Sequence, residues 1–164
     1  MNTRAIYPGT FDPITLGHLD IITRSTQIFD YIVIAISNSY NKKPLFSLTE
    51  RIDLVKQVTT HLSNIEIIGF KDLMVQVAKE YNTKFIIRGL RTIFDFQYEL
   101  QLLQMNRHLF PSLESIFLMP SENNFFISSS LIKEVASVAN YAGNIHEFLP
   151  EVVHKALLTK LTQT

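Results

Sequence analysis

Tyr7-Pro8-Gly9-Thr10-Phe11-Asp12-Pro13-Ile14-Thr15-Leu16-Gly17-His18 (YPGTFDPITLGH) joins the end of a short apolar run to the start of a helical pattern. A strand that opens through a glycine loop into a helix is the first half of a βαβ unit, and the same alternation repeats to the end of the chain. The spacing predicts strands over Arg4–Tyr7, Tyr31–Ser37, Ile65–Phe70, Lys84–Arg88 and Ser115–Met119. Most are apolar at consecutive positions, as expected when both faces of a parallel sheet are covered. Helices are predicted over about His18 to Phe29, Leu73 to Tyr81, Phe94 to Leu109, Ser129 to Val138 and Pro150 to Leu161. Between the second and third strands, Leu48, Ile52, Val55, Val58 and Leu62 recur at helical spacing behind Ser47-Leu48-Thr49-Glu50, an S-x-x-E capping box. The expected fold is therefore α/β and doubly wound, a five-stranded parallel sheet with helices on both faces. One domain spans residues 1–164, with the last helix packed on it.

Composition narrows the function. A chain of 164 residues can bury a sizeable core without staples. A net charge of zero argues against a general nucleic-acid or membrane-surface binder, so any anion site must be local. Without cysteine there is no disulfide scaffold, iron–sulfur cluster, thiolate nucleophile or cysteine zinc site, which fits a reducing cytoplasm. Pro8 and Gly9 interrupt the N-terminus before a signal-peptide core develops. The strongly apolar run Ile32–Ile36 is far too short to cross a bilayer.

Gly9, Gly17, Gly69 and Gly89 cluster where strands end, and in open α/β sheets ligands bind outside the carboxyl ends of the strands. Four post-strand segments there suit a phosphorylated ligand: GTFDPITLGH, NSYNKKP, RGLR and ISSSLIK. In RGLR, Arg88 and Arg91 flank a glycine that permits close backbone approach, although a solvated arginine pair has the same sequence. Ser128, Ser129 and Ser130 open a helix, where hydroxyls serve equally as caps or as phosphate partners. Lys42 and Lys43 would ordinarily be surface charge. His18 is the odd residue, because the first turn of a helix disfavours a cation. A packed, backbone-bonded ring would explain it, but the glycine-loop context favours a second donor for an anion. The other four histidines, His61, His108, His146 and His154, show no ligand spacing. There is no G-x-x-x-x-G-K-[ST] loop and no G-x-G-x-x-G fingerprint.

Thr15-Leu16-Gly17-His18 matches the (H/T)-x-G-H motif, and Ile127 to Lys133 (ISSSLIK) the second signature, of the Rossmann-like nucleotidyltransferase α/β phosphodiesterase superfamily. With NKKPLF, DLM, IIRGLR and QMNRHL, nearly the whole chain resembles the bacterial phosphopantetheine adenylyltransferases. That resemblance implies transfer of the adenylyl group of ATP to 4′-phosphopantetheine, giving dephospho-coenzyme A and pyrophosphate, with Mg²⁺ accompanying ATP, coenzyme A as a candidate inhibitor and a homohexameric assembly. It implies Thr10 and Lys42 at the acceptor phosphate, His18 at the transferring phosphate, and Arg91 and Ser129 at the ATP phosphates. Acceptor positions would further include Asp72, Met74, Arg88, Leu102 and Asn106. Nucleotide positions would include Thr10, Phe11, His18, Gly89, Leu90, Arg91, Glu99, Asn124, Phe125, Phe126, Ile127, Ser128, Ser129 and Ser130. Asn124 departs from the aromatic residue many members carry there. No protein-built metal site, nucleic-acid partner or membrane partner is implied. A related transferase acting on nicotinate mononucleotide or glycerol phosphate shares the histidine motif, and a noncatalytic nucleotide-binding module shares the fold. The helix over Phe94 to Leu109 carries two apolar stripes, Phe96, Leu100 and Leu103 and then Tyr98, Leu102, Met105 and Leu109, one more than a surface helix needs, so either the last helix or a neighbouring subunit covers the second.

Overall fold

The computed structural model describes residues 3–38, 43–121, 127–138 and 142–162. Five parallel strands, β1 (Arg4–Gly9), β2 (Tyr31–Ser37), β3 (Ile65–Phe70), β4 (Phe85–Gly89) and β5 (Glu114–Leu118), lie in the order β3-β2-β1-β4-β5. They alternate with α1 (Leu16–Ile28), α2 (Leu48–Val58), α3 (Met74–Glu80), α4 (Ile93–Leu109) and α5 (Ser129–Ala136). A 3-10 turn over Ala142–Phe148, absent from the sequence reading, leads into α6 (Glu151–Thr162). Strand order reverses between β1 and β4, which places the switch point, and the crevice it opens, beyond Gly9 and Gly89.

Side chains alternate across the sheet with the period of two that a strand imposes. Ala5, Tyr7, Ile32, Ile34, Ile36 and Ile87 face a core with α1, α2, α5 and α6. Ile6, Val33, Ala35 and Ile86 face a smaller core with Val75, Val77 and Ala78 of α3 and Leu113. The doubly wound architecture is as expected, and boundaries shift for local reasons. β1 runs two residues past Tyr7, because Pro8 and Gly9 stay in register with Ala35 and Ile36. Helix α1 begins at Leu16, two residues before the expected start, since Thr15 is its N-cap. Helix α6 takes α2, α5 and the 3-10 turn as neighbours, and Lys160 Nζ reaches Glu50 Oε1 of the α2 capping box at 2.7 Å. It therefore does not account for the second stripe of α4, of which Leu102 is half-buried while Tyr98, Met105 and Leu109 stay exposed.

Candidate active site

The cleft is built on the backbone of the first loop. Phe11 takes the left-handed conformation, φ 50°, and turns its ring into the core, edge-on to Tyr7 at 5.5 Å and to His18 at 5.1 Å. Gly9 makes that turn possible, because a Cβ there would stand 2.8 Å from the Phe11 ring. Phe11 is thus a buried buttress behind the histidine, and only its backbone is left for a ligand.

His18 is the third residue of α1 and closes a capping box with Thr15: its backbone N–H donates to Thr15 Oγ1 at 3.3 Å, and its Nδ1 accepts the Thr15 backbone N–H at 3.1 Å. An imidazole here takes the place usually held by Glu or Gln. Accepting at Nδ1 requires that nitrogen to be unprotonated, so the ring's proton sits on Nε2. Burial, followed by the nearby Arg91 charge, pushes the His18 pKa down to about 4. The ring at the helix start is therefore neutral at neutral pH, and the helix dipole meets no cation. The backbone-bonded reading and the anion-donor reading are both satisfied, through different nitrogens.

Around it lies a cleft of about 290 Å³ lined by Gly9, Thr10, His18, Lys43, Arg88, Gly89, Arg91, Glu99, Ile127, Ser128, Ser129, Ser130 and Lys133, among others. A second hollow of about 390 Å³, lined by Phe70, Leu73, Met74, Leu102, Leu103, Asn106 and Ser115, shares Pro8, Gly9, Thr10, Arg88 and Glu99 with the first. Arg88 and Glu99 stand in that common wall as a two-pronged ion pair, with Nε donating to Oε2 at 2.6 Å. The sequence reading placed these two residues in opposite halves of the site; they belong to the boundary between the halves.

Two more cations are likewise held. Arg91 Nε lies 3.3 Å from Asp95 Oδ2, while its Nη1 donates to the Ile127 carbonyl at 3.2 Å. Lys133 is paired with buried Asp12, whose carboxylate also accepts the backbone N–H groups of Leu45 at 3.0 Å and Phe46 at 2.9 Å. Ser128 caps α5 by accepting the Leu131 N–H at 3.1 Å, and Ser129 Oγ donates to the Pro13 carbonyl at 2.8 Å. Capping is what Ser128 does; Ser129 ties α5 to the first loop and stays at the cleft.

A cytidylyltransferase-like family profile matches residues 6–135. The chain belongs to the cytidylyltransferase-like family. Its fold is similar to that of a protein assigned as a nicotinate-nucleotide adenylyltransferase of Vibrio parahaemolyticus, with a TM-score of 0.72 and 18% identity over 100% of this chain and 98% of that one. It is also similar to a lipopolysaccharide core biosynthesis protein of Thermoplasma volcanium GSS1, with a TM-score of 0.53 and 22% identity over 73% of this chain and 96% of that one. At these identities the likeness is one of fold. Cytidylyltransferase-like membership makes nucleotidyl transfer the chemistry to be accounted for.

In this family member the predicted residues Thr10, Phe11, His18, Gly89, Arg91, Glu99, Ile127, Ser128, Ser129 and Ser130 converge on one hollow, and Thr10, Met74, Arg88, Leu102 and Asn106 on the other. Asp72 does not join them: it is exposed and lines a separate depression with Leu48, Lys71 and Glu80. Leu90 lines neither hollow, and its N–H is used by the Leu118 carbonyl at 2.9 Å. Lys42, Asn124, Phe125 and Phe126 lie outside the described residues. Asp12, Lys133, Tyr7 and Arg51 were not singled out by the sequence. For Asp12 the signal was available: a carboxylate inside an otherwise anion-binding loop needs a cation, and ISSSLIK supplies one.

Proposed function

We propose that this protein transfers the adenylyl group of ATP to 4′-phosphopantetheine, releasing pyrophosphate and forming dephospho-coenzyme A. The observation that carries the reading is the pair of hollows meeting at Thr10, Arg88 and Glu99, one ringed by phosphate-type donors and the other lined by apolar side chains with a few neutral polar ones. A transferase must hold two anionic substrates side by side, and the shared wall is where their reacting phosphates would meet.

The character of the second hollow favours pantetheine. Beyond the residues it shares with the first hollow, its lining is Ser37, Phe70, Leu73, Met74, Ile86, Leu102, Leu103, Asn106 and Ser115, which offers apolar surface with amide and hydroxyl partners but no second cation. A flexible arm with methyl groups and amides suits that lining. The carboxylate of nicotinate would want a cation at the far end.

The chemistry asks little of a base. The acceptor is a phosphate monoester with a second pKa near ~6, so it is largely dianionic at neutral pH. One of its oxygens attacks the α-phosphorus, the bond from that phosphorus to the β-bridging oxygen breaks, and pyrophosphate leaves with the electron pair. His18 Nε2–H would donate to the transferring phosphate as charge builds on it, fixed in place by Thr15 at its other nitrogen. Thr10 and Lys42 would hold the acceptor phosphate. Arg91, Ser129, Ser130 and the open N-terminus of α5 would hold the triphosphate. Asp12 and Glu99, the carboxylates lining the described cleft, are each engaged by a cation, a donor set that leaves Mg²⁺ to phosphate and water oxygens. When bound it neutralises charge on the polyphosphate. A homohexamer is part of the same reading, with the exposed stripe of α4 as the surface available to it.

Pyrophosphate release from ATP with phosphopantetheine, nicotinate mononucleotide or glycerol phosphate tests the proposal. Turnover with phosphopantetheine alone is expected. Preference for nicotinate mononucleotide would overturn the acceptor assignment, and ATP binding without turnover on any acceptor would favour a noncatalytic module.

A further inference from the structure

Arg51 is the largest fully buried side chain in the molecule's described residues, 1% exposed, and it stands on the core face of α2 with Leu54, Val55 and Val58. A buried guanidinium is costly unless its donors are satisfied, and ordinarily a carboxylate does much of that. Among the described residues no carboxylate lies within ion-pair distance of Arg51; three backbone carbonyls take its donors instead. Nε donates to Phe46 at 3.1 Å, and Nη1 donates to Thr10 at 2.8 Å and to Ser37 at 2.8 Å. Burial draws its pKa down and the field of Asp12 draws it back up. The cation is held by backbone dipoles with one carboxylate at a distance.

Those three carbonyls are not arbitrary. Ser37 ends β2 and Phe46 precedes the N-cap of α2, so they are the two ends of the β2–α2 connection. Thr10 is the first residue beyond β1 and lines both hollows. Asp12 meets the same connection from the other side, taking the N–H groups of Leu45 and Phe46. A strand-end loop carrying a ligand-facing Thr10 is therefore fastened to the connection carrying cleft-lining Lys43 by one planar fork.

We propose that Arg51 is a positioning residue of the transfer site, locking the Thr10 carbonyl to both ends of the β2–α2 connection and so setting where Thr10 and Lys43 meet the ligand. It rests on the reading of the cleft as a nucleotidyl-transfer site. An arginine suits the place because two separate nitrogens, Nε and Nη1, reach acceptors spread around one rigid group, whereas the three donors of an ammonium all radiate from a single nitrogen.

The test uses the full chain with Arg51→Lys, which keeps the charge, and Arg51→Met, which keeps the bulk. Folding is checked by circular dichroism, kcat and KM are measured for each substrate, and hydrogen exchange is followed by mass spectrometry. For folded Arg51→Lys, kcat per folded molecule is expected to fall about 10²-fold, the scale of an ångström-sized misplacement, with the KM for ATP held within about threefold. Exchange in residues 43–47 should quicken about tenfold or more while α1 and α6 keep their protection. Arg51→Met should show the same split, more severely. A folded Arg51→Lys with wild-type kcat overturns the proposal, whether or not residues 43–47 loosen. So does unchanged exchange in that segment, and so does failure of both variants to fold, which makes Arg51 a residue of the fold alone. Wild-type inactivity toward phosphopantetheine would instead sink the acceptor assignment, and Arg51 is then judged on the acceptor that releases pyrophosphate.

Discussion

His18 does two jobs with two nitrogens, and substitutions can separate them. His18→Ala keeps the Thr15 side-chain cap but loses the acceptor of the Thr15 N–H and the Nε2 donor, so turnover should fall about 10²–10³-fold while stability drops by about 1 kcal/mol. His18→Gln restores a capping-box side chain without an imidazole. Its melting temperature should return toward wild type and its turnover should not. Recovery of both would show that the ring takes no part in transfer. The same residue makes stability pH-dependent, because its pKa of about 4 in the fold lies below the ordinary 6.5. Between those values the unfolded chain binds a proton that the folded one refuses, so stability should decline as pH falls from about 6.5 toward 4. Denaturant titrations of wild type and His18→Gln at pH 7 and pH 5 isolate this contribution; equal losses in both would mean that His18 titrates normally in the folded protein. Tyr7 offers a cleaner test of binding. It is only 4% exposed, borders the cleft, and its hydroxyl makes no hydrogen bond to another described residue. Burial holds its pKa up, so it remains a donor, and Tyr7→Phe should leave stability unchanged or raised while weakening ATP about 2–12-fold, the worth of one neutral hydrogen bond. Calorimetry showing unchanged ATP affinity would place the hydroxyl against water instead.

Between elements, the strongest link is Asp12, which joins the β1–α1 loop, the segment before α2 and the Lys133 ammonium of α5. Asp12 is buried while Lys133 is half-buried, so Asp12→Ala, which leaves the Leu45 and Phe46 N–H groups without their acceptor, should cost about 1–3 kcal/mol. Adding Lys133→Met to it should cost less than the sum of the two single changes. A denaturant double-mutant cycle showing strict additivity would mean that the pair is not coupled. These elements also show what the sequence could and could not reveal. The central strand β2 was legible because burial on both faces left an unbroken apolar run, and α2 because Ser47 and Glu50 announce its start. The Thr15–His18 capping box was hidden by its unusual partner. Asp12 and Lys133 are 121 residues apart, Arg51 and Thr10 41 apart, and no local periodicity encodes such pairings. Arg51 was masked further by sitting within an apolar pattern that draws the eye to Leu48, Ile52 and Val55. Asp72 shows the converse: the resemblance placed it with Met74 in the acceptor site, yet the two line different hollows on either side of the turn into α3.

At the scale of the whole molecule, α4 sets the problem. Its 17 residues include no buried one, although Phe96 lies edge-on to Phe117 at 5.8 Å and Leu102, Leu103 and Asn106 line the acceptor hollow. On the face that Leu102 shares, Tyr98, Met105 and Leu109 recur at spacings of seven and four residues, with Phe94 one turn before them, and these four are 60%, 58%, 43% and 81% exposed. Single apolar residues on a surface need no explanation, but a continuous stripe does. With α6 engaged on α2, a second copy of the chain is the occupant the homohexamer reading supplies. A closed assembly repeats each contact at every interface, so one substitution acts several times over. Tyr98→Glu with Met105→Glu should therefore shift the protein toward the 18.9 kDa monomer in sedimentation at micromolar concentration. Because Glu99, Leu102 and Asn106 ride on the same helix, release of the interface should also raise the KM for the acceptor more than that for ATP. A wild-type protein that sediments as a monodisperse monomer would refute the assembly and leave the stripe as a surface for some other partner. An assembly that survives both glutamates would place its contacts elsewhere on the molecule.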